Sequence, residues 1–527
     1  MKDRVSLTDF LMYHKETHPI SFHMPGHKGR STLYGIYGFG DFVKNVVGND
    51  ITEIPGADAL QQPRERIKDI MEGYAGLYGA KHTELLVNGS SAGLMASILG
   101  SVPRGGKLLM GRNSHKSVYG ALRLGGIDPV YIMPEIDGET GLQLGLDPDK
   151  IEAALIEDGD IKAVLVTSPN YYGVLSDIER IASIVHLHGR ILIVDQAHGA
   201  HLKFFDYLRS EDGLPHRAAE NCGADIVVDS THKTLLSFTG SAILNICTER
   251  PDVSRISELL RMLQTTSPSY LLMGSLDINQ QILRMDGYNL IKNWDADIKY
   301  FYEEAAQIAG LGLIDRIDLD ETKVSITMSA LGLSGPELAE ELEKRNIWVE
   351  LTHGDYVMLM TGIGNERGDY EDVLSALRDL SAHHGGRIQG VEPESSASKT
   401  ESAAQEAVQK QAKNEAQAAN KNASQPVDKI TELRTPSSDS ALIERLEQRR
   451  IPDTYEEIPL YSAEGRVLYE SIIPYPPGTP IACPGEVLSK SVILYVRDQL
   501  VAQHVVLGVD EEGRVKVESD CVLFKEI

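Results

Sequence analysis

The sequence at residues 225–234 is Asp-Ile-Val-Val-Asp-Ser-Thr-His-Lys-Thr. Its first half holds three consecutive β-branched apolar residues, as buried strands commonly do. A hydroxyl, an imidazole and an amine then follow within five residues. Parallel strands deliver polar groups of this kind to a site at their carboxyl ends. The segment therefore predicts a strand that ends at a functional site, with Lys233 in that site.

Three upstream segments show the same change from apolar to polar residues. They are Asn88-Gly-Ser-Ser-Ala-Gly93, Asn113-Ser-His-Lys116 and Asp195-Gln-Ala-His198. Together with Lys233 they supply an amine nucleophile, a phosphate-binding turn, a flat ring for stacking and a carboxylate. Pyridoxal 5′-phosphate (PLP) requires these four groups from a protein. We therefore predict PLP as the cofactor and no metal site.

Composition and charge exclude several classes of protein. Hydrophobic residues make up 42% of the chain and charged residues 24%, as in globular proteins. The net charge of −26 argues against nucleic acid or an anionic membrane as a partner. We expect neither a signal peptide nor a transmembrane segment. Four widely separated cysteines fit a reducing compartment, so we predict a cytoplasmic protein.

Alternating strand and helix patterns predict a large α/β domain at residues 56–290. Segments such as Asp147–Glu157 and Asp177–His188 are long enough for helices between the strands. Continuous apolar strands in this arrangement indicate a buried, mostly parallel sheet. The gap after Lys233 is too short for a crossover helix, so the last strand is expected to run antiparallel. The seven predicted strands are Glu84–Val87, Lys107–Met110, Pro129–Met133, Ala163–Thr167, Ile191–Val194, Ile226–Val228 and Ala242–Ile246.

An arm and a smaller domain flank the large domain in this prediction. Residues 1–55 form the N-terminal arm, because Gly and Pro interrupt their pattern. Residues 291–387 form a small α+β domain. Within it, Thr322–Met328 is a predicted strand and Gly335–Lys344 a predicted amphipathic helix.

The last part of the chain is predicted to contain a linker and a third domain. Residues 388–430 are rich in Ala, Gln, Glu, Ser, Lys and Asn and nearly lack apolar side chains. Such a segment buries too little surface to offset its ordering entropy, so we predict a flexible linker. Residues 431–527 form the C-terminal domain, with predicted strands at Ser491–Val496 and Arg514–Val517.

The segment at residues 85–96 predicts the phosphate-binding turn. It passes from a strand through small residues into a helix, where free backbone N–H groups and the helix dipole favour a dianion. Ser90 and Ser91 add hydroxyl donors. The alternative is an ordinary helix start, since serine is common at the N-cap.

Asp195 follows the apolar run at residues 191–194 and is predicted at the carboxyl end of a central strand. A carboxylate there can pair with a pyridine nitrogen and keep it protonated. An N-cap or a metal ligand is the alternative role, because His198 and His201 lie close in sequence. No further ligands occur at a metal-type spacing, which disfavours the metal.

His115 and Lys233 are the other two chemical candidates. The flat imidazole of His115 can cover one face of a pyridine ring, although a surface histidine is the alternative. The amine of Lys233 can bond to an aldehyde if its surroundings lower its pKa. Ser230 and His232 can reach the same phosphate. A single lysine after a strand is usually solvated, so the prediction depends on all four strand ends together.

Six parts of the chain also carry a family resemblance, and they span nearly all of it except the predicted linker. The chain resembles the fold-type-I, PLP-dependent ornithine/lysine/arginine decarboxylases, in the shorter bacterial form that lacks an N-terminal receiver-like domain. The matching segments are Phe22-His-Met-Pro-Gly-His-Lys28, Asn113-Ser-His-Lys-Ser117, Asp195-Gln-Ala-His-Gly-Ala-His201, Ser230-Thr-His-Lys233, Thr265-Thr-Ser-Pro-Ser-Tyr270, and Pro474-Tyr-Pro-Pro-Gly-Thr-Pro480 with Pro484-Gly-Glu486.

The resemblance implies a role for each site residue. Lys233 would hold the cofactor covalently, Asp195 would bind the pyridine nitrogen, and His115 would stack on the ring opposite Ala197. His198 also belongs to the implied cofactor-binding set. Thr266 resembles a position that reaches the phosphate in a neighbouring subunit, which implies a homodimer or higher homo-oligomer. The residues implied around the phosphate are Ser90, Ser91, Ser230 and His232.

The chain departs from the family pattern in two places. Gln196 stands where the family usually has an acidic residue after the pyridine-binding Asp. The sequence Gly56-Ala-Asp-Ala-Leu-Gln-Gln62 replaces the family's Asp-Leu-His-like stretch. The second departure lies in a region that shapes the substrate side, so it affects the prediction of the substrate more than that of the chemistry.

The resemblance implies PLP-dependent decarboxylation of a basic amino acid, which yields an amine for polyamine synthesis. Arginine is favoured because the short-form relatives include arginine decarboxylases. The alternatives are lysine or ornithine as the substrate, another PLP reaction such as transamination or aldol cleavage, and an inactive regulatory or binding relative. Glu464 and Glu486 are candidates to bind the substrate's basic head group, and solvated surface carboxylates are the alternative for both.

Overall fold

The computed structural model describes residues 6–385, 446–475, 479–501 and 505–519. The predicted linker at residues 388–430 lies outside these residues. The N-terminal arm precedes the large sheet and consists of short elements. They are α1 (Leu7–Glu16), β1 (Ile20–Phe22), α2 (Ser31–Ile36), α3 (Gly40–Lys44) and α4 (Val46–Asn49).

A seven-stranded sheet forms the centre of the molecule. Its strands are β2 (His82–Leu86), β3 (Lys107–Gly111), β4 (Asp128–Ile132), β5 (Ile161–Thr167), β6 (Ile191–Asp195), β7 (Ile226–Asp229) and β8 (Ala242–Ile246). Their order in the sheet is β2-β8-β7-β6-β5-β3-β4. Strands β3 to β7 are parallel to one another, and β8 is antiparallel to both β2 and β7. All seven predicted strands are confirmed, as is the antiparallel direction of the last one.

Helices cover both faces of this sheet, because successive strand residues point to opposite sides. They are α5 (Arg66–Tyr78), α6 (Gly89–Ser101), α7 (Lys116–Gly125), α8 (Pro148–Glu157), α9 (Ile178–Leu187), α10 (Leu202–Glu211), α11 (Thr231–Thr234), α12 (Val253–Leu263) and α13 (Tyr270–Ala305). Leu165 and Ile193 pack with α6, α7 and α12 on one face. Val164 and Val194 pack with α8 and α9 on the other face. The predicted helices at residues 147–157 and 177–188 correspond to α8 and α9.

Gly93 lets α6 lie directly against the sheet. A Cβ atom at this position would lie 2.6 Å from Leu86 Cδ1 and 3.1 Å from Val228 Cγ1. Contacts this short would force a larger residue to displace either these side chains or the helix. The close approach places the first turn of α6 beside the carboxyl ends of the central strands.

The small domain follows α13. Its elements are β9 (Gly312–Leu313), β10 (Lys323–Thr327), α14 (Gly335–Glu343), β11 (Ile347–Val349), β12 (Leu351–His353), β13 (Tyr356–Met360) and α15 (Arg367–Gly385). Four of the strands form an antiparallel sheet in the order β12-β13-β10-β9. Strand β1 of the arm pairs in parallel with β11, which ties the arm to this domain. The predicted strand and helix are confirmed as β10 and α14, while the predicted boundary between residues 290 and 291 falls inside α13.

The C-terminal part has its own apolar cluster, formed in part by Leu468, Ile472, Val492 and Val515. Its elements are β14 (Tyr455–Pro459), β15 (Ile473–Tyr475), α16 (Lys490–Val501), β16 (Val505–Leu507) and β17 (Arg514–Glu518). The strands pair antiparallel as β14 with β17 and β15 with β16. The predicted strand at residues 514–517 is confirmed as β17.

The predicted strand at Ser491–Val496 is wrong, because these residues belong to α16. The run Val-Ile-Leu-Tyr-Val has a high β propensity. However, Val492 and Val496 are the fully buried residues of this run, and they lie four positions apart. A four-residue spacing places both on one helix face, so packing against the domain core outweighs the local propensity.

Candidate active site

A cavity of about 360 Å³ lies at the carboxyl ends of the central strands. Thr167 and Asp195 end β5 and β6, while Lys233 follows β7 in the short helix α11. Residues from the arm and from the C-terminal part complete the wall. The lining residues are Met24, Pro25, Gly89, Ser90, Ser91, Asn113, His115, Thr167, Tyr171, Asp195, Ala197, His198, Ser230, His232, Lys233, Thr239 and Thr479.

The structure brings nine of the ten predicted site residues together in this one cavity. The exception is Thr266, which is exposed on the surface after α12 and does not line the cavity of its own chain. The nine lining residues are Ser90, Ser91, His115, Asp195, Ala197, His198, Ser230, His232 and Lys233.

The amine of Lys233 is buried and lies 2.9 Å from Nε2 of His198. Burial lowers the pKa of Lys233 to about 8, and the nearby Lys323 adds to this effect. The carboxylates of Asp195 and Glu350 act in the opposite direction, because they favour the charged amine. A pKa near 8 leaves roughly a tenth of the amine neutral at pH 7, enough for it to act as a nucleophile.

Asp195 is buried at the end of β6, where its Oδ1 accepts a hydrogen bond from the backbone N–H of Ala197 at 3.2 Å. Burial raises the pKa of Asp195, while the charge of Lys233 opposes the shift. A buried carboxylate gains from a cationic partner. A protonated pyridine nitrogen would be such a partner.

The first turn of α6 faces the cavity through Gly89, Ser90 and Ser91. Within the described residues, no side chain caps this helix. Its free N–H groups and the helix dipole can therefore serve a phosphate. The alternative reading of these serines as N-caps is wrong, because the N-cap position is Asn88.

His232 and Ser230 also line the cavity, and both belong to the segment that follows β7. The Nδ1 atom of His232 lies 2.7 Å from the carbonyl oxygen of Ser241, so Nδ1–H donates and Nε2 remains for a ligand. Burial lowers the pKa of His232 to about 4. A phosphate dianion beside the ring would reverse this shift, because it favours the charged imidazole.

His115 is the N-cap of α7, and this position fixes the orientation of its ring. Its Nδ1 accepts from the backbone N–H of Ser117 at 3.2 Å and lies 2.9 Å from the Ser117 hydroxyl. Burial, together with the charges of Lys233 and Lys116, lowers the pKa of His115 to about 4. The ring is therefore neutral, with its proton on Nε2.

Three polar atoms of the cavity residues fit a bound cofactor. Thr167 Oγ1, His198 Nδ1 and Ser230 Oγ are buried and have no hydrogen-bond partner among the described residues. Buried polar groups in proteins are nearly always paired, so such atoms indicate that a ligand supplies partners. The uncapped helix, the buried carboxylate and the amine together match the phosphate, ring nitrogen and aldehyde of PLP. When bound, this cofactor withdraws electrons from the substrate Cα.

Several lining residues were missed by the sequence analysis as individual site residues. Met24 and Pro25 belong to the matching N-terminal segment, and the N–H of Gly26 donates to the carbonyl of His232 at 2.8 Å. Thr479 belongs to the matching proline-rich segment, of which residues 476–478 lie outside the described residues. The sequence signal for these residues lies in the two segments themselves, because both match the family pattern.

Tyr171 had no comparable signal. It lies in the loop after β5, and its ring centre is 4.9 Å from that of His198. Its hydroxyl donates to Glu350 at 3.1 Å, across 179 residues of sequence. This carboxylate also accepts from the backbone N–H of Met24 at 2.9 Å, so it joins the small domain to the arm beside the cavity.

Neither carboxylate predicted for the substrate head group lines the cavity. Glu486 is 2% exposed and pairs with Arg112 at 2.8 Å, which neutralises its charge inside the protein. Glu464 is exposed on the surface. Glu464 is thus a surface carboxylate, as the alternative for both residues had it. Glu486 is not solvated but belongs to a buried ion pair.

The two departures from the family pattern have structural roles outside the cavity wall. The amide nitrogen of Gln196 donates to Glu220 at 3.0 Å and to Asp229 at 2.9 Å. An acidic residue at this position would face two carboxylates. In the other stretch, Asp58 accepts from the backbone N–H groups of Glu65 and Ile67 and so supports the start of α5.

The histidines considered for a metal have separate surroundings. His198 lines the cavity, whereas His201 does not line it and its Nε2 lies 3.1 Å from Asp320. Among the residues that the structure describes, no group of three or more His, Cys, Asp and Glu is arranged to hold a metal ion. Likewise, none of the described helices is both long and apolar enough to span a bilayer.

Two known sequence families match this chain. The family described as "Orn/Lys/Arg decarboxylase, major domain" matches residues 5–311, and "Orn/Lys/Arg decarboxylase, C-terminal domain" matches residues 439–508. The major domain alone covers more than half of the 527 residues.

Full-length relatives agree with this match. The arginine decarboxylase of Bacillus anthracis is 30% identical over 519 residues, which cover 95% of this chain and 94% of the relative. The arginine decarboxylase of Bacillus subtilis is 30% identical over 511 residues, with the same two coverages. These relatives have nearly the length of this chain, as expected for the short bacterial form.

A solved structure shows the same fold. The constitutive lysine decarboxylase of Escherichia coli superposes with a TM-score of 0.67 at 20% sequence identity. The superposition covers 97% of this chain and 81% of the longer one. The predicted fold class, a fold-type-I PLP enzyme with a C-terminal decarboxylase-type domain, is confirmed. This chain belongs to the Orn/Lys/Arg decarboxylase family, whose cofactor is PLP.

Proposed function

We propose that this protein removes the α-carboxyl group of arginine as carbon dioxide and releases the corresponding amine for polyamine synthesis. The family makes it a PLP-dependent amino-acid decarboxylase. Arginine is favoured because two full-length relatives at 30% identity are named arginine decarboxylases. The observation that carries the chemistry is one cavity in which Lys233, Asp195 and the uncapped start of α6 meet.

Each residue of the cavity has a distinct task in this proposal. The start of α6 and His232 bind the phosphate and fix the position of the cofactor. The carboxylate of Asp195 would hold the ring nitrogen of PLP in its protonated form, in which the cofactor supplies the electron-withdrawing group that decarboxylation needs. The ring of His115, which lines the cavity, would pack against the cofactor ring. Either Nζ of Lys233 or Nε2 of His115 then returns a proton to Cα.

The test of this function is incubation of the PLP-loaded protein with arginine, lysine and ornithine separately. We expect carbon dioxide and the amine from arginine, at a higher kcat/KM than from the other two. Faster turnover of lysine or ornithine would show that arginine is the wrong substrate, but the proposed decarboxylation would stand. Formation of a keto acid or an aldehyde without carbon dioxide would indicate transamination or aldol cleavage and overturn the proposal. A protein without turnover that still binds PLP would be a regulatory relative.

We also propose that the active unit is a homodimer in the cytoplasm. Helix α1 buries none of its residues and exposes Leu7, Phe10 and Leu11, each more than half accessible. Such an apolar surface is typical of an interface. Thr266 is exposed and separate from its own cavity, as a residue that serves a neighbouring subunit would be. Light scattering on the purified protein should give twice the 57.9 kDa of one chain. A monomer that is fully active would contradict the proposal.

A further inference from the structure

Arg112 is a charged side chain buried between the large domain and the C-terminal part. Only 1% of it is accessible. It follows β3 directly and precedes Asn113, which lines the cavity together with His115. Burial of a guanidinium costs free energy, and hydrogen bonds and a counter-charge must offset that cost.

The donors of Arg112 bind the C-terminal part at three points. Its Nη1 donates to the carbonyl oxygen of Pro480 at 2.8 Å, and Nη2 to that of Ile481 at 3.3 Å. Nε and Nη2 also bind the two carboxylate oxygens of Glu486 at 3.1 and 2.8 Å. The second oxygen of Glu486 accepts from the backbone N–H of Cys483 at 2.7 Å. The guanidinium therefore holds the whole turn at residues 480–486.

The same arginine is tied to the large domain near His115. Its Nη1 donates to the hydroxyl of Tyr119 at 3.0 Å, and this hydroxyl donates to the backbone carbonyl of Arg112 at 2.6 Å. Tyr119 lies one turn into α7, the helix that His115 caps. Thr479, immediately before the bound Pro480, lines the cavity. One guanidinium thus connects two walls of the cavity that lie far apart in sequence.

We propose that Arg112 is a positioning residue, which holds Thr479 and the following turn in the cavity wall and so shapes the space for the substrate amino acid. The inference rests on the proposed decarboxylation. The wall at Thr479 acts on the substrate rather than on the cofactor. The reason is that the groups suited to PLP come from residues 89–233 of the large domain. Most of them are held by α6, β6 and α11, and the ring of His115 is oriented by its own contacts with Ser117.

The test compares Arg112→Lys and Glu486→Gln with Arg123→Lys as a matched control. Lysine keeps the charge of Arg112 but cannot make the bidentate pair and the two carbonyl bonds together. Arg123 is also an arginine of the large domain that contacts the C-terminal part. It lies at the end of α7, contacts the Tyr469 ring at 4.5 Å, and is exposed. Two dissociation constants are measured for each protein: the Kd of PLP, and the Kd of the amino acid from the change in cofactor absorbance. Steady-state kinetics give KM and kcat, and thermal unfolding gives the midpoint temperature.

We expect Arg112→Lys and Glu486→Gln to raise the KM and Kd of the amino acid about tenfold or more, equivalent to the loss of one strong contact. Their kcat should change by less than about threefold, and their affinity for PLP by less than about twofold, because the cofactor groups stay in place. Arg123→Lys should match the wild type in every measurement. Glu486→Gln decides the matter if Arg112→Lys does not fold.

Unchanged amino-acid affinity in a folded variant would overturn the positioning role. Parallel losses of PLP affinity, kcat and thermal midpoint would also overturn it, since they indicate general damage to the fold. The outcome is separable from that of the proposed function. If the wild type binds an amino acid without releasing carbon dioxide, decarboxylation fails, but the absorbance titration still tests Arg112.

Discussion

The side-chain amine of Lys233 lies 2.9 Å from Nε2 of His198, inside the cavity at the ends of the central strands. Burial and the charges of Lys233 and Lys323 hold the pKa of His198 well below its usual range, so its ring is neutral. The imidazole can accept a hydrogen bond from the amine on Nε2, while its Nδ1 has no partner among the described residues. This contact holds the amine of Lys233 inside the cavity.

The lowered pKa of Lys233 predicts how cofactor binding depends on pH. Only the neutral amine attacks an aldehyde, so the rate of PLP association with the cofactor-free protein should rise with pH and level off above a midpoint near 8. The reference is Nα-acetyl-lysine, whose amine has the ordinary pKa of about 10.4. Asp195→Asn should lower the midpoint further, because the variant lacks the carboxylate that favours the charged amine of Lys233 in the wild type. Stopped-flow absorbance measures each rate, and a midpoint equal to that of the reference would refute the prediction.

Borohydride reduction of the PLP-loaded protein should attach the cofactor to Lys233. Two other lysines, the partly buried Lys28 and the buried Lys323, provide the contrast. Lys28 donates to the carbonyls of His23 and Met360, and Lys323 binds Asp320, so neither amine is presented to the cavity. Peptide mapping should therefore find the label at position 233, and Lys233→Ala should lose both label and turnover. A label on Lys28 or Lys323 would show that the wrong amine has been assigned.

Asp195→Asn should retain PLP but lose catalytic rate. The amide preserves the shape of the side chain and its contact with the Ala197 N–H, but it cannot keep a pyridine nitrogen protonated. Loss of one such electrostatic contact costs about 10²–10³ in kcat. Steady-state kinetics and the cofactor content of the purified variant check both parts. Near-normal kcat would contradict the role assigned to Asp195.

Gln196→Glu, which places an acidic residue after Asp195, should destabilise this protein. The glutamate would face Asp229 and Glu220, and the pKa of Asp229 already lies well above its usual range because of burial and Glu220. We expect the free energy of unfolding to fall by about 1–3 kcal/mol, the cost of an unsatisfied buried group.

The loss of unfolding free energy should be larger at pH 8 than at pH 6. A carboxyl group whose pKa is raised in the folded state makes the protein less stable as the pH increases towards that pKa. Denaturant unfolding at the two pH values provides the measurement. Gln196→Glu combined with Asp229→Asn should recover much of the loss, since the number of carboxyl groups returns to that of the wild type. Equal stability of Gln196→Glu and wild type would show that the cluster accommodates a third carboxyl group.

The sequence by itself determined the central sheet and the region of the site. Residues 191–194 of β6 are a continuous apolar run that Asp195 follows directly, so a local pattern contains both the element and its functional end. The short gap after Lys233 likewise predicted the antiparallel direction of β8 from chain geometry alone. These features depend on neighbours in sequence, which is why one chain suffices to predict them.

Only the tertiary structure decided which remote groups meet. Glu486 was a candidate for the substrate until its partner Arg112, 374 residues away, proved to neutralise it. The residues 491–496 form a helix because the domain core covers one of their faces, although their propensity favours a strand. Tyr171 and Glu350 meet beside the cavity across two domains. A local pattern records backbone preference and the face that is apolar, but a side chain's partners follow from the packing of distant segments.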